Sequence, residues 1–273
     1  METRFQFNGT GGALFVKFLV GGLLTVITFG IYLPWFIVNL TKYVYENTII
    51  KSPAGDLRLD FTGAGGKLFG TYLVGVILTM LTVGIYGAWF MTNMAKFFTD
   101  NTKCTGPDGR QYQLQYNGTG GALFVKVLVG YLLTMVTLGI YGPWFMCSLT
   151  KFILENTAIM EGSNQIGSFD FVGAGGALFV TYLVGFLLTM ITFGIYGAWF
   201  AVKLFKFFNE NTEVTVGDQK YRCGFVGTGG NFFVLNLVGY LLTMITFGIY
   251  GAWYYCNLIK FQLENTTVSN NKS

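Results

Sequence analysis

The phrase TFGIYGAW occurs at residues 192–199 and again, letter for letter, at residues 246–253. Near copies stand at residues 28–35, 82–89 and 137–144, where they read TFGIYLPW, TVGIYGAW and TLGIYGPW. The chain therefore contains five copies of a short, uncharged, aromatic phrase. Because self-similarity at a fixed period marks a repeat architecture, these copies indicate how the whole chain is organised.

Three other markers recur at intervals of 54 or 55 residues. The first glycine of a G-x-G-G turn stands at Gly9, Gly63, Gly118, Gly173 and Gly227; the tryptophans are Trp35, Trp89, Trp144, Trp199 and Trp253; the asparagine of an N-T pair is Asn47, Asn101, Asn156, Asn211 and Asn265. The sequence predicts a single domain, 1–273, of five repeats, approximately 1–50, 51–104, 105–159, 160–214 and 215–273.

Each repeat is predicted to contain a strand, a long helix, a short helix and a second strand. Alternation such as FQFN before Gly9 indicates a strand, and the apolar run after the G-x-G-G turn indicates a helix. The GIYxxW phrase separates this helix from a shorter one, whose final Asn is typical of a left-handed C-cap. Turn signals such as PAGD at 53–56 join neighbouring repeats through β-hairpins. We expect the terminal strands, Arg4–Phe7 and Thr266–Val268, to pair and close a ring, which removes open edges.

Charged residues make up 11% of the chain, against about 25% in typical soluble domains. They are absent from residues 18–41, 68–95, 127–150, 171–202 and 223–259. Each window is long enough for a membrane span of about 20 residues. The predicted fold class is therefore an α-helical membrane protein with β-hairpins, whose five tandem repeats form a closed pseudo-fivefold ring of about ten helices. Helical hairpins that enter the bilayer without crossing it stay open as an alternative.

The charges all lie on the hairpin side, so the aromatic phrase is predicted to form an elbow at the far membrane interface, where Tyr and Trp are enriched. The predicted interfacial anchors are Tyr32, Trp35, Tyr86, Trp89, Tyr141, Trp144, Tyr196, Trp199, Tyr250 and Trp253. By the positive-inside rule, the charged hairpin face is expected to be cytoplasmic.

A stripe of small residues runs along one face of each long helix, because spacing i, i+4, i+7 places side chains together. Its members are Gly21, Thr25, Thr28, Gly75, Thr79, Thr82, Gly130, Thr134, Thr137, Gly185, Thr189, Thr192, Gly239, Thr243 and Thr246. The stripe has two interpretations: a pore lined by hydroxyl groups, or close packing between helices with the hydroxyls bonded locally. Packing is the favoured one.

Each short helix ends with a lysine and, four residues later, an acid: Lys42 and Glu46, Lys96 and Asp100, Lys151 and Glu155, Lys206 and Glu210, Lys260 and Glu264. An acid at a helix C-terminus opposes the macrodipole, so a contact between repeats is expected, with the carboxylate accepting from G-x-G-G amides. A lipid phosphate is a second candidate partner for these turns; the candidate residues are Gly11, Gly12, Lys17, Gly120, Gly121 and Lys126.

The string LLTxxTxGIYxxW, preceded by FxFxGxGG and followed by a basic residue and N-T, resembles the bacterial YjgN-type inner-membrane family, whose function is unknown. The resemblance covers all five repeats. It implies a multi-pass protein of the bacterial inner membrane and supplies no activity. This chain usually has one Lys after the Trp, where members of the family carry several basic residues.

The chain has no histidine, no nucleophile motif and no carboxylate or lysine inside the charge-free windows, so neither an enzyme nor a metal or other cofactor is expected. A net charge of +4 without a basic run argues against nucleic acid. The expected partners are membrane lipids, and self-association or protein binding through the charged hairpin face stays open. The preferred function is a structural disc that organises lipid or partners and shapes the membrane. The alternative is a narrow uncharged channel for water, small neutral solutes or ions.

Overall fold

The computed structural model describes residues 2–270, in which a strand, a 17-residue helix, a 14-residue helix and a strand follow one another five times. The first unit contains β1 (Glu2–Phe7), α1 (Gly11–Ile27), α2 (Leu33–Glu46) and β2 (Thr48–Ser52). The other four contain β3 (Gly55–Phe61), α3 (Gly65–Leu81), α4 (Gly87–Asp100), β4 (Thr102–Thr105); β5 (Gln111–Tyr116), α5 (Gly120–Val136), α6 (Gly142–Glu155), β6 (Thr157–Glu161); β7 (Asn164–Phe171), α7 (Gly175–Ile191), α8 (Gly197–Glu210), β8 (Thr212–Val216); and β9 (Gln219–Phe225), α9 (Gly229–Ile245), α10 (Gly251–Glu264), β10 (Thr266–Asn270).

The ten strands form one closed antiparallel barrel. Each strand pairs with its neighbours along the chain, and β1 also pairs with β10, with Thr3 opposite Val268. Short turns join successive units at one end of the barrel, and a helical hairpin connects the two strands of each unit at the other end. All five helical hairpins therefore rise from the same end, which follows from the alternating strand directions.

The two faces of the barrel differ in polarity. Phe5 lies opposite Ile50 on one face, whereas Arg4 lies opposite Lys51 on the other, where both side chains are exposed. Because strand side chains alternate between faces, the apolar face lines the barrel interior. Burial there raises the pKa of the Cys223 thiol to about 11.

The helices form a closed ring, in which each helix packs against the helices before and after it and α10 packs against α1. Within a unit, a glycine admits an aromatic ring: a Cβ atom at Gly21 would lie 2.1 Å from the Phe36 ring. Between units, a Cβ atom at Gly65 would lie 2.4 Å from the Trp35 ring and 2.9 Å from Trp35 Cα. Equivalent contacts recur around the ring, so glycine at these positions sets how closely the helices approach.

Each long helix ends in a tight elbow of Schellman type. The Gly30 amide donates to the Thr25 carbonyl at 2.7 Å and the Phe29 amide to the Val26 carbonyl at 3.1 Å. The Thr28 hydroxyl donates to the Leu24 carbonyl and accepts from the Tyr32 amide at 3.0 Å, which links the two helices. Four further elbows repeat this pattern.

The predicted fold class, an α-helical membrane protein with β-hairpins, is wrong. The strands form one continuous closed barrel, and within residues 2–270 none of the helices has both the length and the apolar character needed to cross a membrane. The reason lies in the elbow, which divides each charge-free window into two shorter helices. Asn47, expected to be left-handed, has a φ of −95°, because the left-handed residues lie in the elbow instead. Internal repeats and ten helices are present in this part of the chain, as expected.

Candidate functional site

The most exposed large apolar side chains form a set of five elbow tips: Phe29, Val83, Leu138, Phe193 and Phe247. Their exposed fractions are 97%, 92%, 94%, 98% and 98%, and their φ angles lie between 49° and 51°. Bulky residues seldom adopt this left-handed conformation, in which Gly or Asn is preferred. A large apolar side chain at a position that is both strained and exposed indicates contact with an apolar environment.

The backbone N–H groups of the elbow are all hydrogen-bonded within the protein. Between Thr28 and Leu33 every amide N–H donates within the elbow or to the preceding helix, including Ile31 to the Thr28 carbonyl and Leu33 to the Gly30 carbonyl, both at 3.1 Å. Water is therefore not needed as an acceptor for these amides. Bonded N–H groups are one of the requirements for backbone that enters hydrocarbon.

The apolar surface continues from the tips along the long helices. On α1 the exposed side chains Val16, Leu19, Val20, Leu23, Val26 and Ile27 lie on one face, with exposed fractions from 51% to 74%. The other long helices expose the corresponding residues, except that α3 has Gly70 at the position of Val16. The helical end of the molecule thus presents a broad apolar surface, larger than isolated exposed residues would give.

The barrel end carries the ion pairs. Arg4 pairs with Glu2 at 2.9 Å, and Lys51 pairs with Asp56 across a hairpin. Glu213 is covered by two cations, Lys220 at 2.5 Å and Arg222 at 2.8 Å, so that only 4% of its side chain is exposed. These hydrogen bonds, first that from Lys220, lower the pKa of Glu213.

The Gly/Thr stripe lies between the two helices of each unit. Gly21 faces the Phe36 ring, and a Cβ atom at Gly87 would lie 3.8 Å from the Thr79 methyl group. All ten stripe hydroxyls donate to carbonyls of their own helices; the Thr25 hydroxyl, for example, donates to the Gly21 carbonyl at 2.7 Å. These contacts are the ones that the packing interpretation requires.

Acids at the ends of two short helices reach the next unit around the ring. Asp100 Oδ1 accepts from the Tyr116 amide at 2.8 Å, and Glu264 Oε1 accepts from the Phe7 amide at 3.5 Å. Both amides belong to the last residue of a strand and not to the G-x-G-G turn, because the short helix ends level with that strand. In the first unit, the turn amide of Thr10 instead donates to the Tyr43 hydroxyl at 2.6 Å, a contact that the sequence analysis missed.

The distance between the lysine and the acid at the end of the short helix differs from unit to unit. Lys151 lies 3.4 Å from Glu155, and Lys260 lies 3.9 Å from Glu264. Within residues 2–270, the pairs of Lys42 with Glu46, Lys96 with Asp100, and Lys206 with Glu210 do not come within ion-pair distance.

The candidate phosphate lysines lie against aromatic rings of the short helix in their own unit. Lys17 Nζ lies 5.4 Å from the centre of the Tyr43 ring, and Lys126 Nζ lies 5.8 Å from that of Phe152 and 3.3 Å from Ser148 Oγ. The accompanying glycines divide into two kinds: Gly11 and Gly120 contact tryptophan, whereas Gly12 and Gly121 have open space beside them.

The predicted anchors lie at the junctions between units. The Tyr32 and Trp35 rings stack with centres 6.1 Å apart, and Trp35 also contacts Phe69 of the next unit. The other four Tyr–Trp pairs stack in the same way. The tips, which the sequence analysis did not single out, occupy the end of the elbow. Their signal was present: the residue between Thr and Gly in each phrase is Phe, Val or Leu.

These features define a class of molecule: a repeat protein with a closed strand barrel, a charged barrel end and an apolar helical end. The sequence pattern of a family described as "Bacterial protein of unknown function (DUF898)" matches residues 2–54, 56–108, 111–164 and 167–223. The chain therefore belongs to this family. The resemblance to YjgN-type proteins is confirmed.

Two curated relatives are both called "Inner membrane protein YjgN". The protein of Salmonella typhimurium is 35% identical over 95 residues, which are 35% of this chain and 23% of the relative. The protein of Escherichia coli O157:H7 is 39% identical over 70 residues, which are 26% of this chain and 17% of the relative. The matched stretches thus span less than a quarter of these relatives. No solved structure matches the chain.

Proposed function

We propose that the protein is a structural protein of the bacterial inner membrane, embedded by its helical end, with its barrel end in water. The observation that carries this proposal is the set of five elbow tips, which are apolar, fully exposed and left-handed. Moving one such side chain from water into hydrocarbon is favourable by about 1.5–3 kcal/mol. The names of the two relatives support the same location.

The helical hairpins enter the bilayer from one side in this proposal. A 17-residue helix is about 26 Å long, shorter than a hydrocarbon core of about 30 Å. The tips then lie inside the hydrocarbon, in agreement with their apolar side chains and with the internally bonded amides of the elbow. The charged barrel end stays in water, on the cytoplasmic side if the positive-inside rule applies.

The proposed role is to organise lipid as a rigid wedge. Helical hairpins that enter from one side and stop short of the far interface displace more lipid from the proximal leaflet than from the distal one, which favours curvature. No catalytic step is part of this proposal. The channel alternative would require stripe hydroxyls that face a solvent path, whereas these hydroxyls bond to their own helices; this observation is why the structural role is preferred.

The anchoring is tested with a variant in which all five elbow tips are replaced by asparagine. The changes are Phe29→Asn, Val83→Asn, Leu138→Asn, Phe193→Asn and Phe247→Asn. Asn tolerates the left-handed conformation, so the fold is retained, but it removes the apolar contact. We expect wild-type protein to float with vesicles and resist alkaline extraction, and the variant to be released. Val216→Asn, a change of an exposed valine at the barrel end, is the matched control and should float like wild type.

Flotation of the five-tip variant at wild-type levels would contradict the embedding. Shape is measured separately, by electron microscopy of vesicles reconstituted at increasing protein density. The wedge requires vesicle radii that fall as protein density rises, and unchanged radii would refute the shaping role.

A further inference from the structure

A groove of about 590 Å³ separates the two helices of the second unit, α3 and α4. Lys67 and Lys96 line it near the barrel end, Gly70 and Asn93 lie at middle depth, and Val74 and Tyr86 line it toward the elbow. Its polar and apolar ends therefore point the same way as those of the whole molecule.

The second unit differs from the others at two positions of this groove. Where the second unit has Gly70, the others have valine: Val16, Val125, Val180 and Val234. Where it has Lys67, they have Ala13, Ala122, Ala177 and Asn231. The four valines are 57–59% exposed, so the absence of this side chain at residue 70 leaves open space at the helix surface.

Gly70 is not required by packing. A Cβ atom there would meet nothing within 4 Å, unlike one at Gly65 or Gly75. Glycine inside a helix is also less favourable than alanine by about 1 kcal/mol. Gly70 therefore weakens α3 without improving its packing. A ligand that occupies the space left by the missing side chain would explain why glycine is present.

The charges of the groove favour an anion. Within residues 2–270, neither Lys67 nor Lys96 pairs with a carboxylate. Asp100, the acid that also lines the groove, is directed to the Tyr116 amide at 2.8 Å. Two ammonium groups are thus available at the end of the groove that faces the barrel.

We propose that this groove binds one anionic phospholipid, with the headgroup phosphate between Lys67 and Lys96 and an acyl chain along Gly70 and Val74. The headgroup would lie at the barrel end and the chain would extend toward the tips, which is the orientation of a lipid in the leaflet that the hairpins enter. This inference rests on the proposed function and makes it specific, because one unit of five would hold a lipid that the others do not.

The test is native mass spectrometry of the full chain in detergent micelles, titrated with phosphatidylglycerol, phosphatidylcholine or inorganic phosphate. Wild type should retain one phosphatidylglycerol in preference to phosphatidylcholine. Gly70→Val restores the residue of the other units, and Lys67→Ala removes one cation. Each should weaken this binding about tenfold, the effect expected from one lost charge-assisted contact or from a blocked chain. Circular dichroism checks the fold, which Gly70→Val is expected to preserve.

A gain-of-function variant supplies the matched control. Ala177→Lys with Val180→Gly places the same two residues in the fourth unit, which already has Lys206 and Thr181 at the positions of Lys96 and Thr71. This variant should retain a second phosphatidylglycerol. Equal lipid retention by wild type and Gly70→Val would overturn the proposal, as would inorganic phosphate that binds equally well or displaces the lipid. Both groove variants should still float with vesicles. If wild type itself does not float, the proposed membrane embedding is wrong, whereas the lipid site is judged by the lipid retention of the variants.

Discussion

At the barrel end, backbone pairing between strands joins the units and charged side chains lie outside; at the elbow end, side-chain shape joins the units and the outer surface is apolar. A surface pair such as Arg4 and Glu2 can change at the barrel end without altering strand pairing. At the helical end, by contrast, Gly65 and Trp35 must fit one another within a few tenths of an ångström. The difference teaches that stability depends on individual side chains mainly at the helical end.

The largest effect is expected from two neighbouring glycines of α3. Gly65→Ala places a Cβ atom 2.9 Å from the Trp35 Cα atom, a backbone atom that cannot move alone, and should lower the free energy of unfolding by about 3 kcal/mol. Gly66→Ala meets nothing within 4 Å and serves as the control. Unfolding by denaturant in detergent solution measures both. Equal stability of the two variants would show that the junction between units is not tightly packed.

A gain in stability is expected at the tips. Val83 is β-branched and has a φ of 51°, so Val83→Asn should relieve strain and raise the free energy of unfolding in detergent by about 1 kcal/mol. Val74→Asn, a change of an exposed valine within the preceding helix α3, should give no such gain and is the control. Destabilisation by Val83→Asn would mean that the left-handed conformation is not strained there.

The repeats and the order of elements could be predicted from the sequence, because the intervals between Gly, Trp and Asn are nearly constant. The closed barrel could not be predicted. The alternation of apolar and polar residues indicates where strands lie, but it does not show that all of them pair into one continuous sheet. The elbow was located correctly, yet its tips were missed because Tyr and Trp are the usual interfacial residues, whereas here they pack between units. The contact of Asp100 with the Tyr116 amide also depended on a helix end that meets a strand end, which spacing alone does not give.

An effect of similar size is expected where the barrel joins the helices. The Thr119 hydroxyl accepts from the Ala122 amide at 3.3 Å at the start of α5, whereas α3 begins after Ala64 and lacks such a cap. Thr119→Ala should therefore cost about 1 kcal/mol of unfolding free energy, and Ala64→Thr should recover a similar amount. Denaturant unfolding of both variants and of their combination measures the effects. If Ala64→Thr does not raise the free energy of unfolding, a threonine hydroxyl at residue 64 does not cap the start of α3.

The smallest effect is expected on the charged face of the barrel, at Glu213. Hydrogen bonds from Lys220 and Arg222 hold the pKa of this carboxyl below its ordinary value of 4.5. Because the folded-state pKa is lowered, the contribution to stability is present above pH 4.5 and is lost as pH falls through the folded-state value. Glu213→Gln should cost about 1 kcal/mol or less at neutral pH, since about half of each partner side chain is exposed to water, and this difference from wild type should shrink in acid. Unfolding measured from pH 7 downward tests it, with Asp218→Asn, a change of an exposed turn carboxylate outside the ion pairs described, as the control. A cost comparable to that of Gly65→Ala would remove the contrast between the two ends, because a single barrel side chain would then matter as much as a junction glycine.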